Sequence, residues 1–356
     1  MVIKEIDVSK PVFLLFYDGF ELKAREKLGL RLFHAARCKL RSVVRRLRGK
    51  QVNTGFYEAF LAIVLGLRKL GFEVRINDFS SARRDPKYPI GLAGYPDVFE
   101  HVQLPNPMIF GPGDPGYPDK AAAVTEKSST RFIIQPSDWF VEYYRPYCGD
   151  KMLRCPVGID VDAMPDFSGS QKSCDVLIYD KIRWHRSETV PRILGSLLEA
   201  LSDRSLSYRI IRYGEHVQTE FFDNLRVSKS MAFLCEHETQ GLACEEALAV
   251  NVPVFAWDEG TLVDPKQRIF ALDNLRVSSV PYFDERCGLT FTSADLEVQF
   301  DKFWSKLPLY SPREFIRETL APELTARVFA KAYQSMVSAK EAQRDIARTL
   351  AGCEHA

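Results

Sequence analysis

The chain of 356 residues has no charge of one sign to spare, since 48 Lys and Arg stand against 47 Asp and Glu. That balance removes the electrostatic footprint that nucleic-acid binding needs. No C-x-x-C pair occurs among the eight cysteines, at 38, 148, 155, 174, 235, 244, 287 and 353, and several lie in apolar strand or helix patterns. Such usage speaks against a zinc site and a disulfide frame, and fits reduced core residues of a cytoplasmic protein. No apolar run is long enough to cross a bilayer, and the opening MVIKEIDVSKPVFLLFYDGF is too broken by charge for a signal peptide. With 46% apolar residues disorder is excluded, and the length suits two domains of ordinary size.

What is present is organised around Met231 to Asp258, MAFLCEHETQGLACEEALAVNVPVFAWD. It reads as a buried strand Met231–Cys235, a polar turn with Glu238, a helix from Gly241 to about Val250, and a second buried strand Pro253–Trp257. A strand, helix and neighbouring parallel strand form half of a nucleotide-binding α/β layer, whose ligand sits at the strand's carboxyl end and the helix's amino end. Glu238 stands just before that helix, where the amides of Gly241 and Leu242 and the positive end of the dipole welcome a phosphate. Glu246 follows at roughly 7.5 Å along the axis, at 1.5 Å per residue, the depth of a ribose when the diphosphate lies at the terminus. Glu245 points about 100° away and is expected in solvent.

The string Glu238-Thr-Gln-Gly241-Leu242-Ala-Cys-Glu-Glu246-Ala-Leu-Ala249, followed by Pro253-Val254, resembles the E-x7-E signature of retaining GT-B glycosyltransferases of the family 4 kind. The resemblance implies two Rossmann-like domains facing across a cleft, with Glu246 on the donor ribose, Glu238 beside the transferred sugar, and Thr239, Gly241 and Leu242 at the donor phosphate or sugar. Gln240 replaces the usual aromatic and Asn251 the usual glycine.

Taken in order, Pro11–Tyr17 reads as a central parallel strand. Residues 21–50 then carry eleven Lys and Arg against two Glu, interleaved with Leu22, Leu28, Leu32, Phe33, Leu40, Val43, Val44 and Leu47. Two readings are open for this basic amphipathic helix: an anionic membrane surface or phosphate-bearing acceptor, or a solvated helix packing its apolar face on the domain. Asn53-Thr54-Gly55 opens a helix through Leu70 and resembles the first glycine loop of GT-B enzymes, which approaches sugar and acceptor. Between Ser80 and Tyr117 only Met108–Phe110 reads as strand. Asp160-Val-Asp162 reads either as a metal-holding Asp-x-Asp or as the V-G-I-D leading out of a first GT-B domain. After the strand Asp175–Tyr179, Lys181 and Arg186 reproduce the five-residue spacing of the family's two diphosphate-clamping cations, with Arg183 an alternative second clamp. Two such cations neutralise the leaving group without a metal. The Tyr213-Gly214-Glu215 turn is placed near the nucleobase and Asp258–Thr261 near the donor sugar, both by resemblance. Pro281–Asp284 is expected as the last edge strand.

The expected organisation is residues 1–165 as an acceptor-side domain with a basic insertion at 21–50, 166–335 as a nucleotide-sugar domain, and 336–356 as a helix returning to brace the first. The resemblance implies hexosyl transfer from a nucleoside diphosphate sugar to a hydroxyl of a glycan or lipid-linked acceptor, in glycan or glycoconjugate synthesis. No cofactor beyond that co-substrate is implied, and the place of work is the cytoplasm or the inner face of a membrane. The same scaffold also admits a sugar-nucleotide epimerase or a catalytically silent binding protein.

Overall fold

The computed structural model describes residues 11–47, 52–127 and 129–353. The end of the basic segment at 48–50 and the last three residues lie outside the described residues.

Among the described residues eleven strands form two sheets. The first orders as β2-β1-β3-β4-β5-β6, from β1 (Phe13–Asp18), β2 (Val74–Ile76), β3 (Ile90–Gly94), β4 (Met108–Gly113), β5 (Thr130–Gln135) and β6 (Met152–Arg154). The second orders as β11-β10-β9-β7-β8, from β7 (Cys174–Asp180), β8 (Tyr208–Arg212), β9 (Ser228–Leu234), β10 (Val254–Trp257) and β11 (Gly288–Phe291). Every pairing is parallel. Parallel sheets are covered by helices on both faces, so their strands read as unbroken apolar runs. β1 (FLLFYD) is buried at all six positions, and β9 at every position but Lys229.

Two expectations fail here. β3 sits between β1 and β4 in the sheet, yet its sequence IGLAG, set among prolines, lacks the bulk that marks a strand. The bulk comes from elsewhere, because a Cβ on Gly91 would meet Leu15 at 2.6 Å and Phe329 at 2.9 Å. Pro281–Asp284 is no strand either; β11, seven residues on, takes the edge beside β10. Asp284 instead accepts from Arg286, its backbone amide at 2.9 Å included, which closes a turn.

The returning helix runs Pro322–Cys353, beginning before 336 because the apolar stripe facing the first domain is already in place. Its Tyr333 hydroxyl donates to the Pro89 carbonyl at 2.5 Å and accepts from the Leu14 amide at 3.0 Å. Phe329 and Tyr333 share a core with Phe13, Leu15 and Phe60. The outgoing and returning crossings lie side by side: the Ile159 amide donates to the Leu320 carbonyl at 2.7 Å, and a Cβ on Gly158 would lie 2.6 Å from Pro322 Cα. A second tie runs from the other domain, where Leu262 and Val277 enter the core of Trp139 and Tyr144, and Phe270 stacks on Tyr117 at 5.5 Å.

Candidate active site

The carboxyl ends of both sheets open into a cleft of about 1820 Å³. Of the residues singled out in the sequence, it gathers Lys181, Gly214, Glu238, Thr239, Gly241, Leu242 and Glu246 from one side, and Asn53 and Gly55 from the other. Thr54 sits at the helix start behind them, its amide donating to Glu21 at 2.7 Å.

The motif folds as its pattern dictates. β9 ends at Leu234, a turn follows, and the helix Leu242–Ala249 starts from Gly241 at φ +93°, a conformation that glycine enters without strain. Asn251 is held at φ +68°, which Asn tolerates better than most residues. The Lys181 amine lies 2.5 Å from Glu238 Oε1, with 12% and 11% of the two side chains exposed. The same amine lies 4.3 Å over the Tyr213 ring. Around Glu238, the Cys235 thiol donates to its carboxylate at 3.2 Å, its amide donates to the Ser278 carbonyl at 2.9 Å, and the Trp139 indole donates to its carbonyl at 2.8 Å. The last bond comes from the opposite domain. Lys181 and Cys235 thus hold the Glu238 carboxylate, and Ser278 and Trp139 its backbone, in one place.

Glu246 accepts from the Gln218 amide at 3.2 Å. Burial, and then the Glu58 carboxylate on the facing domain, push its pKa up to about 7 against that hydrogen bond. A carboxyl displaced this far by burial in a cleft marks a candidate functional group.

Glu245 departs from expectation: it is 1% exposed, and burial holds its carboxyl well above the usual range. The reason is Gln240, whose amide donates to Glu245 at 2.9 Å and to the Val157 carbonyl at 3.0 Å while its oxygen accepts from the Val157 amide at 2.8 Å. The buried Gln240 amide is thus paired at both its oxygen and its nitrogen. Arg186 is not among the cleft-lining residues. It forks onto Asp180 at 2.9 and 2.7 Å and reaches the Ile182 carbonyl at 2.5 Å, because the buried end of β7 needs a countercharge. Arg183 donates to the His237 carbonyl at 2.6 Å and also stays out of the cleft wall. Asp258 turns away to accept from Ser278 at 2.6 Å, and none of 258–261 lines the cleft. Asp160 and Asp162 part company, the first pairing with Lys69 at 3.0 Å and the second with Arg317 at 3.6 Å. His101 meets Asp18 at 2.8 Å, away from the cleft lining.

Sequence reasoning missed Gln218, Tyr179, His216 and Trp139. Gln218 gave no signal, since its partner lies 28 residues away. The His216 ring meets the Tyr179 hydroxyl at 3.3 Å on the cleft wall. His237 was passed over inside the motif; buried between Trp184 at 4.7 Å and Trp139 at 5.9 Å, its pKa falls to about 4, burial outweighing the rest.

No protein-family model and no curated protein matches the chain. Solved structures do. A glycosyltransferase from Rickettsia africae ESF-5 covers 92% of this chain and 99% of its own at 10% identity, with a TM-score of 0.50. Sucrose-phosphate synthase from Thermosynechococcus elongatus covers 92% and 100% at 9% identity, TM-score 0.49, and AviGT4, a glycosyltransferase involved in avilamycin A biosynthesis, covers 92% and 98% at 12%, TM-score 0.42. At such identities the likeness is one of fold: two parallel α/β layers in the GT-B arrangement.

Proposed function

We propose that the chain moves a sugar from a nucleoside diphosphate sugar to an acceptor hydroxyl, with retention at the transferred carbon. One observation carries the reading: Glu246 on the helix Leu242–Ala249, Glu238 in the turn before that helix, and Lys181 just past β7 and paired with Glu238, all face Asn53 and Gly55 across a single cleft. In this reading Glu246 accepts from the ribose hydroxyls, and Gly241 and Leu242 meet the diphosphate. Lys181 turns from Glu238 to the phosphates, and Glu238 is left to steady positive charge on the sugar. The bond from the anomeric carbon to phosphate breaks as the acceptor oxygen attacks the same face, and the leaving phosphate takes the acceptor proton. No side chain is required as base. Arg186 acts at one remove, fixing Asp180 and the turn that carries Lys181.

The acceptor side is Asn53–Gly55, and the acceptor is a glycan or lipid-linked molecule. The basic helix Leu28–Leu47 works against an anionic membrane surface, so the site of action is the inner face of a membrane. No helix among the described residues is long and apolar enough to cross one.

The test is a panel of nucleoside diphosphates and their sugars, read by thermal shift and by nucleotide release. Glu246→Ala should weaken nucleotide binding by ~10-fold or more, the loss of hydrogen bonds to a charged group, while Glu238→Ala lowers turnover more than affinity. Silence of the whole panel, or wild-type behaviour of both variants, removes the proposal.

A further inference from the structure

The helix Leu28–Leu47 is amphipathic the wrong way round. A surface helix ordinarily turns apolar residues inward. Here the half-buried positions are His34, Cys38, Arg41, Ser42 and Arg45, at helical spacing. The outward positions are Leu28, Leu32, Phe33, Leu40, Val43 and Val44, with Leu28 68%, Phe33 61% and Leu40 66% exposed. At about 100° per residue, Arg37 and Lys39 fall on the two edges of this apolar stripe. The helix holds six Lys and Arg and no acidic residue.

It is also wired to the cleft. Arg41 donates to the Val52 carbonyl at 3.2 Å and lies 3.9 Å from Glu21, as well as over the Phe20 ring at 5.2 Å. Glu21, whose side chain is 5% exposed, accepts from the Thr54 amide at 2.7 Å and the Tyr17 hydroxyl at 3.0 Å. The helix's entry is braced separately, by Lys23, Arg25 and the Ala24 amide on the buried Asp18 and by the Arg83 fork on Glu26.

We infer that this helix lies in the plane of an anionic bilayer, and that seating it there fixes the 52–55 loop through Arg41 and Glu21, making the acceptor side of the cleft surface-dependent. The charge selects the occupant. An apolar stripe flanked by cations sinks to the level of the headgroups while its Lys and Arg reach the phosphates. The polar underside then has a purpose, because it holds the loop. The inference rests on the membrane-surface reading above and takes no part in the nucleotide claim.

The experiment uses the full chain without any donor, with vesicles of phosphatidylcholine alone or mixed with phosphatidylglycerol. Sedimentation reads binding, hydrogen exchange reads the Thr54 and Gly55 amides, and mass in solution reads self-association. Anionic vesicles should bind the protein, less so in high salt, and slow exchange at 54–55 roughly tenfold as local opening is suppressed. Phe33→Glu with Leu40→Glu should lose binding and slowing together. Glu21→Gln, and Arg41→Lys, which keeps the charge but not the planar fork, should bind as wild type yet lose the slowing. Equal binding to neutral vesicles, a dimer that hides the helix, or slowing that survives in both relay variants overturns the inference.

Discussion

Glu246 is the residue whose chemistry is most exposed to test. Its folded pKa is raised, to about 7 from 4.5, with burial the leading cause. A raised carboxyl contributes stability that is present while it is protonated in both states and is lost as pH climbs through the folded value. The unliganded protein should therefore lose roughly 1–3 kcal/mol between pH 4.5 and 7 from this group, and Glu246→Gln should flatten that part of the profile in denaturant melts. Ribose hydroxyls would favour the ionised form, so nucleotide binding near pH 6 should release protons; calorimetry in buffers of different ionisation enthalpy reads this directly, and an unchanged proton count would detach Glu246 from the ribose.

Just ahead of the motif helix, Gln240 joins Val157 to Glu245. Gln240→Ala would leave the Val157 amide and carbonyl unpaired and bring down stability by about 1–3 kcal/mol, seen as a lower denaturant midpoint with an unchanged slope. At this scale the sequence spoke clearly where apolar runs were long. β10 and the motif helix lie within a residue or so of where periodicity puts them, and β9 begins three residues earlier than expected. It was silent where partners are distant. β3 borrows its bulk from Phe329, more than two hundred residues on, and nothing near Glu245 announces that Gln240 will pull it inside. The clamp spacing misled for a related reason: Lys181 and Arg186 are equally basic on paper, and only the buried Asp180 decides which of them is free to face the cleft.

For the whole molecule, the parallel crossings at Gly158 and Pro322 are the joint between domains. Gly158→Ala would put a methyl 2.6 Å from Pro322 Cα and 2.7 Å from the Thr325 hydroxyl, against backbone that has little room to yield. The expected outcome is a destabilisation of about 1–3 kcal/mol together with altered scattering, as the two layers are levered apart; a variant with wild-type melting and scattering would show that the joint has slack.

The returning helix also sets an order of assembly. Phe329 and Tyr333 complete the core against β1, although β1 leaves the ribosome more than three hundred residues earlier. Residues 174–320 hold a full sheet of their own and can condense during synthesis. The half that is translated first is thus the half that matures last, and until the closing segment arrives it depends on whatever keeps nascent chains from sticking.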